Sequence, residues 1–390
     1  MSARGPREEA PADVVFPSLA FANATTTLLL FGALASLLGP LLISFSHRFH
    51  ISLPAAGEVL SVFFVGALLG VPLGYLAVTR VRGQTMLAAM MLVAALGATI
   101  ASWAHTWAEL LAGIFVIGLS FGGVDFALNT LLVRTEAHRR GHRLSVVNAG
   151  YGVGAVLGPV AIIAVHPANF AWLFAATAII ALLVALFFRG LVAPPMRTTL
   201  HPRSLFRRGR RRSILLTFIS AYVLYVCAET SASGWIAPQL HRVGYSQSLA
   251  SAITAGFWGA LALGRFIGGP LSNRWSPRLL VLGGLCVAVA TSAVAFFDAA
   301  APLAYPLLGL VIASVYPMGI IWYTTLCPGD GDGLSALILC MMAGGIIGPA
   351  VESLMVSLSG IHAVPLVVAA FFLADLAVFA SVRRFDPVTT

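Results

Sequence analysis

Lysine is missing from this chain altogether, and charge of any kind is scarce. Only 9% of the 390 residues are charged, and the 23 basic residues are all arginine. An ordinary soluble domain carries about 25% charge to coat its surface, so a water-soluble particle of this size is excluded. Cysteine is sparse too: Cys227, Cys286, Cys327 and Cys340 form no Cys-x-x-Cys pair, which leaves no disulfide framework or thiol redox motif. The nine histidines are scattered in loops and at the ends of apolar runs, with no His-Glu-x-x-His pattern and no companion nucleophile. No enzyme, metal centre or cofactor site is expected. The glycine-rich runs Gly150 to Pro159 and Gly344 to Pro349 follow no strand and lack Gly-Lys-Ser/Thr, so they are not phosphate loops.

What fills the chain is apolar residue: 59% of it is hydrophobic. A helix needs ~20 apolar residues to cross a hydrocarbon core of ~30 Å. Spans are expected at 19–46, 54–78, 83–103, 107–133, 143–165, 169–191, 213–238, 248–273, 277–297, 300–325, 334–358 and 362–382. Only helices suit such long runs, because lipid offers backbone polar groups no partners and a barrel shows weak ten-residue alternation instead. No cleavable leader is expected, since Ser2 to Pro17 is polar and mixed in charge.

The net charge of +9 is laid out by loop. Arg80, Arg82, Arg134, Arg139, Arg140, Arg143, Arg274 and Arg278 fall on one side. They join Arg189, Arg197, Arg203, Arg207, Arg208 and Arg210 to Arg212 of the linker, and Arg4, Arg7, Arg383 and Arg384 of the tails. Arg48 and Arg242 alone fall on the other. The positive-inside rule makes the crowded side cytoplasmic and puts both termini there, in the plasma or inner membrane. This arrangement reads as topology and contact with anionic lipid, with no nucleic-acid partner. The loop from Cys327 to Gly333 departs from it, with Asp330 and Asp332 and no arginine.

The expected organisation is a tail (1–18), a six-helix bundle (19–191), an Arg- and Pro-rich cytoplasmic linker (192–212), a second six-helix bundle (213–382) and a tail (383–390). The bundles repeat one another. Phe64-Val-Gly-Ala-Leu matches Phe257-Trp-Gly-Ala-Leu, and Gly74 with Arg80 matches Gly268 with Arg274. Gly154 and Gly158-Pro159 match Gly344 and Gly348-Pro349, and Gly118-Leu119 matches Gly309-Leu310, all at offsets close to about 190 residues. The fold class is therefore an all-α membrane protein of twelve transmembrane helices in two pseudo-symmetric bundles. Parallel halves around a midplane site are the architecture of alternating-access carriers. Small residues at spacings of four allow close helix packing where such halves move.

With these features the chain resembles the major facilitator superfamily, and within it the fucose permease-like sugar–proton symporters and related bacterial carriers. The fourth span reads Gly118-Leu-Ser-Phe-Gly-Gly-Val-Asp125-Phe-Ala-Leu-Asn129. The seventh reads Leu224-Tyr-Val-Cys-Ala-Glu229 and then Gly234-Trp235, and the eighth Phe257-Trp-Gly-Ala-Leu-Ala-Leu-Gly264-Arg265. The resemblance implies the major facilitator fold and proton-coupled solute transport. The loop after Gly74 departs from the family pattern, with Val78 and Thr79 where an acid is usual, and Asn273 precedes Arg274 in the second copy. The first span lacks the acid that such symporters set beside the fourth-span acid; its early polar residues are Asn23 and Thr25 to Thr27.

An ionisable group at mid-membrane is costly and marks function or pairing. Asp125 and Glu229 are the candidates for proton coupling, because a carboxyl group withdrawn from water can take up and release a proton. Asn129 shares a helical face with Asp125. Arg265 is expected to pair with Asp125 or with Glu229, or to reach the cytoplasmic boundary. Glu352 and Asp375 lie near span ends and are expected in structural roles, Glu352 near an outer vestibule. Asn129, Asn148, Tyr151, Tyr222, Tyr225, Glu229, Trp258, Arg265 and Tyr316 make up a candidate substrate cavity, with Trp322 and Tyr323 nearby. Aromatic faces with hydrogen-bonding groups suit a neutral polar ligand such as a sugar. The expected partners are thus a small-molecule substrate, protons and membrane lipids, for a monomer. Two alternatives stay open. One is a proton-coupled drug or metabolite exporter of the same fold, to whose fifth-span motif Gly154-xxx-Gly158-Pro159 is a half match. The other is a non-transporting membrane sensor, for which there is little room for a signalling domain.

Overall fold

A computed structural model describes residues 14–135, 137–165, 169–188, 191–195, 209–271 and 273–385. Arg4, Arg7, Arg189, Arg197, Arg203, Arg207 and Arg208 lie outside the described residues, as do the side chains of Arg139, Arg140 and Arg383.

The chain forms α1 (Ser18–Phe49), α2 (Leu53–Ala56), α3 (Glu58–Arg80), α4 (Gly83–Ser102), α5 (Trp107–Val133), α6 (Ala137–Val165) and α7 (Phe170–Leu186). It continues as α8 (Arg210–Arg242), α9 (Gln247–Leu271), α10 (Pro277–Val294), α11 (Ala301–Ile312), α12 (Val315–Leu326), α13 (Gly331–Ser359) and α14 (Val364–Ser381). Among the described residues, eleven helical segments are long and apolar enough to cross a membrane. The sixth crossing, α7, is a shorter apolar helix.

The twelve expected spans are all present, and two are interrupted. A single turn, α2, precedes α3, with the Ser52 hydroxyl accepting from the Ala55 amide at 3.3 Å. The tenth span breaks at Ala313 and Ser314 into α11 and α12. Pro317 explains that break, because proline has no N–H for the Ala313 carbonyl and its ring crowds that position. Two tyrosines of α8 serve carbonyls at the break. Tyr222 donates to the Tyr316 carbonyl at 2.6 Å, and Tyr225 to the Ile312 carbonyl at 3.4 Å.

Two hydrophobic cores form. One is built almost wholly from α1 to α7, the other from α8 to α14. Their packing repeats in detail. A Cβ at Gly118 of α5 would strike the Phe63 carbonyl of α3, and one at Gly309 of α11 would strike the Phe257 carbonyl of α9. Gly158 of α6 lies against the Ala33 carbonyl of α1, and Gly348 of α13 lies against the Cys227 carbonyl of α8. These two pairs of repeated glycines therefore do the same job in each half, letting two backbones approach without a side chain between them, whereas Gly259 and Gly268 meet side chains where Gly66 and Gly74 meet backbone. Large apolar side chains such as Phe266, Trp172 and Leu303 point outward, as a surface that meets lipid requires.

The first and last described stretches pair with the segments on either side of residues 196–208. Val15 and Val192 form an antiparallel bridge, with N–H···O distances of 2.9 and 3.1 Å. Arg210 donates to the Phe385 carbonyl, and Arg384 to the Thr217 hydroxyl at 3.2 Å. The acidic loop finds its reason here: Asp330 caps α13 through the Gly333 amide at 3.2 Å and accepts from the Tyr323 hydroxyl at 3.1 Å.

The two halves touch at mid-depth and at the end remote from the termini. Gly39 of α1 meets Gly234 of α8, where an added Cβ would lie 2.5 Å from the Gly234 carbonyl oxygen. Ser61 of α3 donates to the Ile346 carbonyl of α13 at 2.9 Å, and Gln247 of α9 to the Pro40 carbonyl of α1 at 3.2 Å. Deeper in the bundle, Gly152 of α6 faces Ala262 of α9, with 3.9 Å to an added Cβ.

Candidate functional site

Asp125 and Asn129 sit one turn apart on α5, both half-buried. The Asn129 amide donates to the Asp125 carboxylate at 3.0 Å and to its backbone carbonyl at 2.9 Å. Asn148 on α6 donates to the Asn129 side-chain oxygen at 3.4 Å and to the Leu144 carbonyl at 2.9 Å. The acid is thus the end of a hydrogen-bonded chain that crosses between two helices. Tyr151, one turn further along α6, is stacked on Phe121 of α5 with ring centroids 6.0 Å apart.

The other half supplies Glu229, half-buried on α8. The Tyr225 hydroxyl, which donates to the Ile312 carbonyl, lies beside its carboxylate, and the Arg265 guanidinium of α9 acts on it electrostatically. Of the two acids that the sequence leaves open as partners for Arg265, Glu229 is the one on which it acts. Arg265 is exposed, yet its field reaches Tyr151, Tyr225 and Tyr316. Its charge is therefore spent on the space between the halves. Tyr316 stands at the α11–α12 break, within the fields of Asp125, Glu229 and Arg265 together. Five helices from both halves meet here: α5 and α6 bring an acid with an amide relay, α8 and α9 an acid with a cation, and α12 a tyrosine at a helix break. That set can accept hydroxyl hydrogen bonds, donate them, and hold protons.

Other expected residues are placed differently. Tyr222 is fully buried and its hydroxyl serves the helix break. Trp258 is half-buried, edge-on to Phe257 at 5.5 Å, with its indole N–H unpartnered. Trp322 stacks on Phe379 at 5.9 Å inside the second core, and Tyr323 belongs to the α13 cap. Asn23 of α1 donates to the Val184 carbonyl at 2.8 Å, so the first-span amide ties α1 to α7. Glu352, expected near an outer vestibule, is fully buried. The seam residues Gly39, Gly57, Gly234 and Trp235 were not among the expected site residues. The repeated glycines hinted at close packing, and no pattern in one sequence says which glycine faces the opposite half.

Two cavities lie apart from the acids. One of about 520 Å³, at the end remote from the termini, is lined by Ser46, His47, His241 and Arg242. The other, of about 490 Å³, lies between α3 and α13 and is lined by Glu58, Ser61 and Ser353.

Residues 24–329 match the family model of the Major Facilitator Superfamily. The chain belongs to that superfamily. It is 24% identical over 343 residues to sodium-dependent glucose transporter 1A of Mus musculus, covering 75% of this chain and 80% of that one. Among solved structures, a bacterial homologue of the human lysosomal transporter Spinster, inward-facing and unoccupied, superposes with a TM-score of 0.79 at 15% identity. It covers 95% of this chain and 98% of that one. The E. coli fucose:proton symporter FucP superposes with a TM-score of 0.65 at 19% identity, over 95% and 99% of the two chains. The chain is accordingly a multi-pass membrane transporter of the major facilitator fold, and not an enzyme.

Proposed function

We propose that this transporter works by alternating access and couples the uptake of a small polar solute, such as a sugar, to protons. The observation that carries this reading is that two part-buried acids from opposite halves both act on Tyr151 and Tyr316. Asp125 is tied to Asn129 and Asn148, and Glu229 is flanked by Tyr225 and Arg265. Acids in this setting exchange protons, and the amides and tyrosines around them match the hydroxyl groups of a sugar. Both the sodium-dependent glucose transporter and the fucose:proton symporter carry sugars by name, and the second is named for protons. With both termini on the cytoplasmic side, as the arginine distribution favours, the closed seam faces outward and the site opens inward.

Solid-supported-membrane electrophysiology on protein in liposomes tests this. Monosaccharides, amino sugars and organic acids are applied with and without a pH gradient, for wild type and Asp125→Asn. A sugar-evoked, proton-linked current that the substitution abolishes is the expected result. Silence across the panel, with binding of bulky apolar compounds instead, would overturn the sugar reading in favour of an exporter.

A further inference from the structure

Glu352 lies on α13, in the part of that helix that closes the seam. Its neighbour Ser353 lies with Trp235 of α8 against Gly57 of the first half. Gly344 and Gly348, two turns and one turn earlier on the same face as Glu352, lie on α8 backbone at Val223 and Cys227. Glu352 thus points toward α8, where Ser231 faces it without meeting hydrogen-bond geometry. Tyr305 of α11 is also within its field, but that hydroxyl is committed to Gln239. The Glu352 side chain has no exposed surface, and neither carboxyl oxygen has a hydrogen-bond partner.

The surroundings offer no counter-charge. Among the described residues no basic group acts on Glu352. Glu58 of α3 lines the lateral cavity with Ser353, on a different face of α13. His362 lies in the turn beyond the end of α13. Asp375 of α14 acts on Tyr222 and Cys227, and Glu229 of α8 on the central tyrosines. A charged carboxylate cannot persist at full burial with no cation and with the Ser231 hydroxyl as the one donor group facing it. The closed arrangement therefore holds Glu352 as the neutral acid. Trp235 is one turn from Ser231 on α8, and its ring is covered by Gly57 across the seam. Gly57 is thus the first-half residue that lies against both Trp235 and Ser353, the two residues flanking Glu352's site at the seam.

We propose that Glu352 is a second proton-binding site, separate from the central acids, which is loaded when the seam closes and emptied when it opens. The proton goes to the water that enters the opened seam, and it returns from water before closure. This stands whether or not the central acids carry protons.

Spin labels at Arg48→Cys and Arg242→Cys, with Cys286 and Cys340 replaced by serine, report the separation of α1 and α8 at the seam. In liposomes the wild-type pair should shift from short to long distances as pH rises. The ratio of open to closed should change by up to about tenfold per pH unit for one proton. Glu352→Gln should stay short at every pH, while Asp125→Asn keeps the shift. Glu352→Met, apolar and similar in volume, should behave like Glu352→Gln and serves if the amide variant folds poorly. A wild-type shift that persists in both Glu352 variants overturns the proposal, as does a shift lost only in Asp125→Asn. Infrared difference spectra supply a second reading: at neutral pH one protonated carboxyl component of the wild type, separate from that of the equally buried and unpartnered Asp375, should be missing from Glu352→Gln. Identical spectra also overturn it.

Discussion

The Asn129 amide donates to the Asp125 carboxylate across one helical turn, and the same Asn129 accepts from Asn148 on the neighbouring helix. The amide is therefore oriented from both sides, and the acid is held toward the space between the halves. Asn129→Ala removes the donor and leaves the Asn148 amide without this acceptor. A hydrogen bond to a charged group is worth about 1.5–3 kcal/mol, so proton-driven uptake should fall on the order of tenfold or more. Asn148→Ala, one step removed, should fall less. Initial uptake rates into proteoliposomes under a fixed pH gradient check the order. Equal losses would show that the two amides act separately.

Gly39 and Gly234 let α1 and α8 touch backbone to backbone. Alanine at Gly39 would set its Cβ 2.5 Å from the Gly234 carbonyl oxygen and 2.8 Å from its Cα, which packed backbones cannot absorb. Overpacking of this kind costs about 1–3 kcal/mol. The cost falls on the closed seam, so the equilibrium should move toward opening at that end. Labelling of Ser353→Cys by a membrane-impermeant maleimide should quicken on the order of tenfold in Gly39→Ala. Gly283→Ala is the control, since nothing lies within 4 Å of its added Cβ. An unchanged labelling rate in Gly39→Ala would mean that the seam does not depend on this contact.

The spans were legible because lipid demands a run of apolar residues of fixed length, and that demand is local. The duplication was legible because the glycines that allow backbone contact recur at matching places, and they do pack alike at Gly118 and Gly309. The Asp125–Asn129 bond was legible from helical spacing. Hydropathy misled where it averages over a break: residues 300–325 are apolar throughout, and Pro317 alone signals the interruption at Ala313. Tyr222 looked like a cavity aromatic because its service to the Tyr316 carbonyl joins residues far apart in sequence. The same distance hid the burial of Glu352, whose sealed surroundings come from α8 and α11.

Asp330 holds α13 in register with α12 through contacts that include the Gly333 amide and the Tyr323 hydroxyl. Losing a side-chain cap costs about 1–2 kcal/mol, and a neutral hydrogen bond about 1 kcal/mol. Asp330→Ala should therefore lower the thermal unfolding midpoint in detergent more than Tyr323→Phe does. Asp332 is exposed in the same first turn, where a charge is worth only a few tenths of a kcal/mol against the helix dipole, roughly. Asp332→Ala should leave the midpoint nearly unchanged. A larger drop for Asp332 than for Asp330 would contradict the capping geometry.

Arg265 of α9 acts electrostatically on Glu229 of α8, and that attraction limits the cost of the buried charge. Removing one partner of a fully buried pair costs about 3–5 kcal/mol. Here the acid is half-buried and the cation exposed, so solvent screening brings the expected penalty down to about 1 kcal/mol or less. Arg265→Gln should lower the thermal midpoint by leaving the carboxylate without its cation. The double substitution Glu229→Gln with Arg265→Gln should recover most of that loss, because no lone charge remains. Uptake should not recover with it, since both groups line the proposed site. A double-mutant cycle on the midpoint isolates the coupling. Strict additivity would show that the two side chains do not sense each other and would leave Arg265 free to act on the substrate alone.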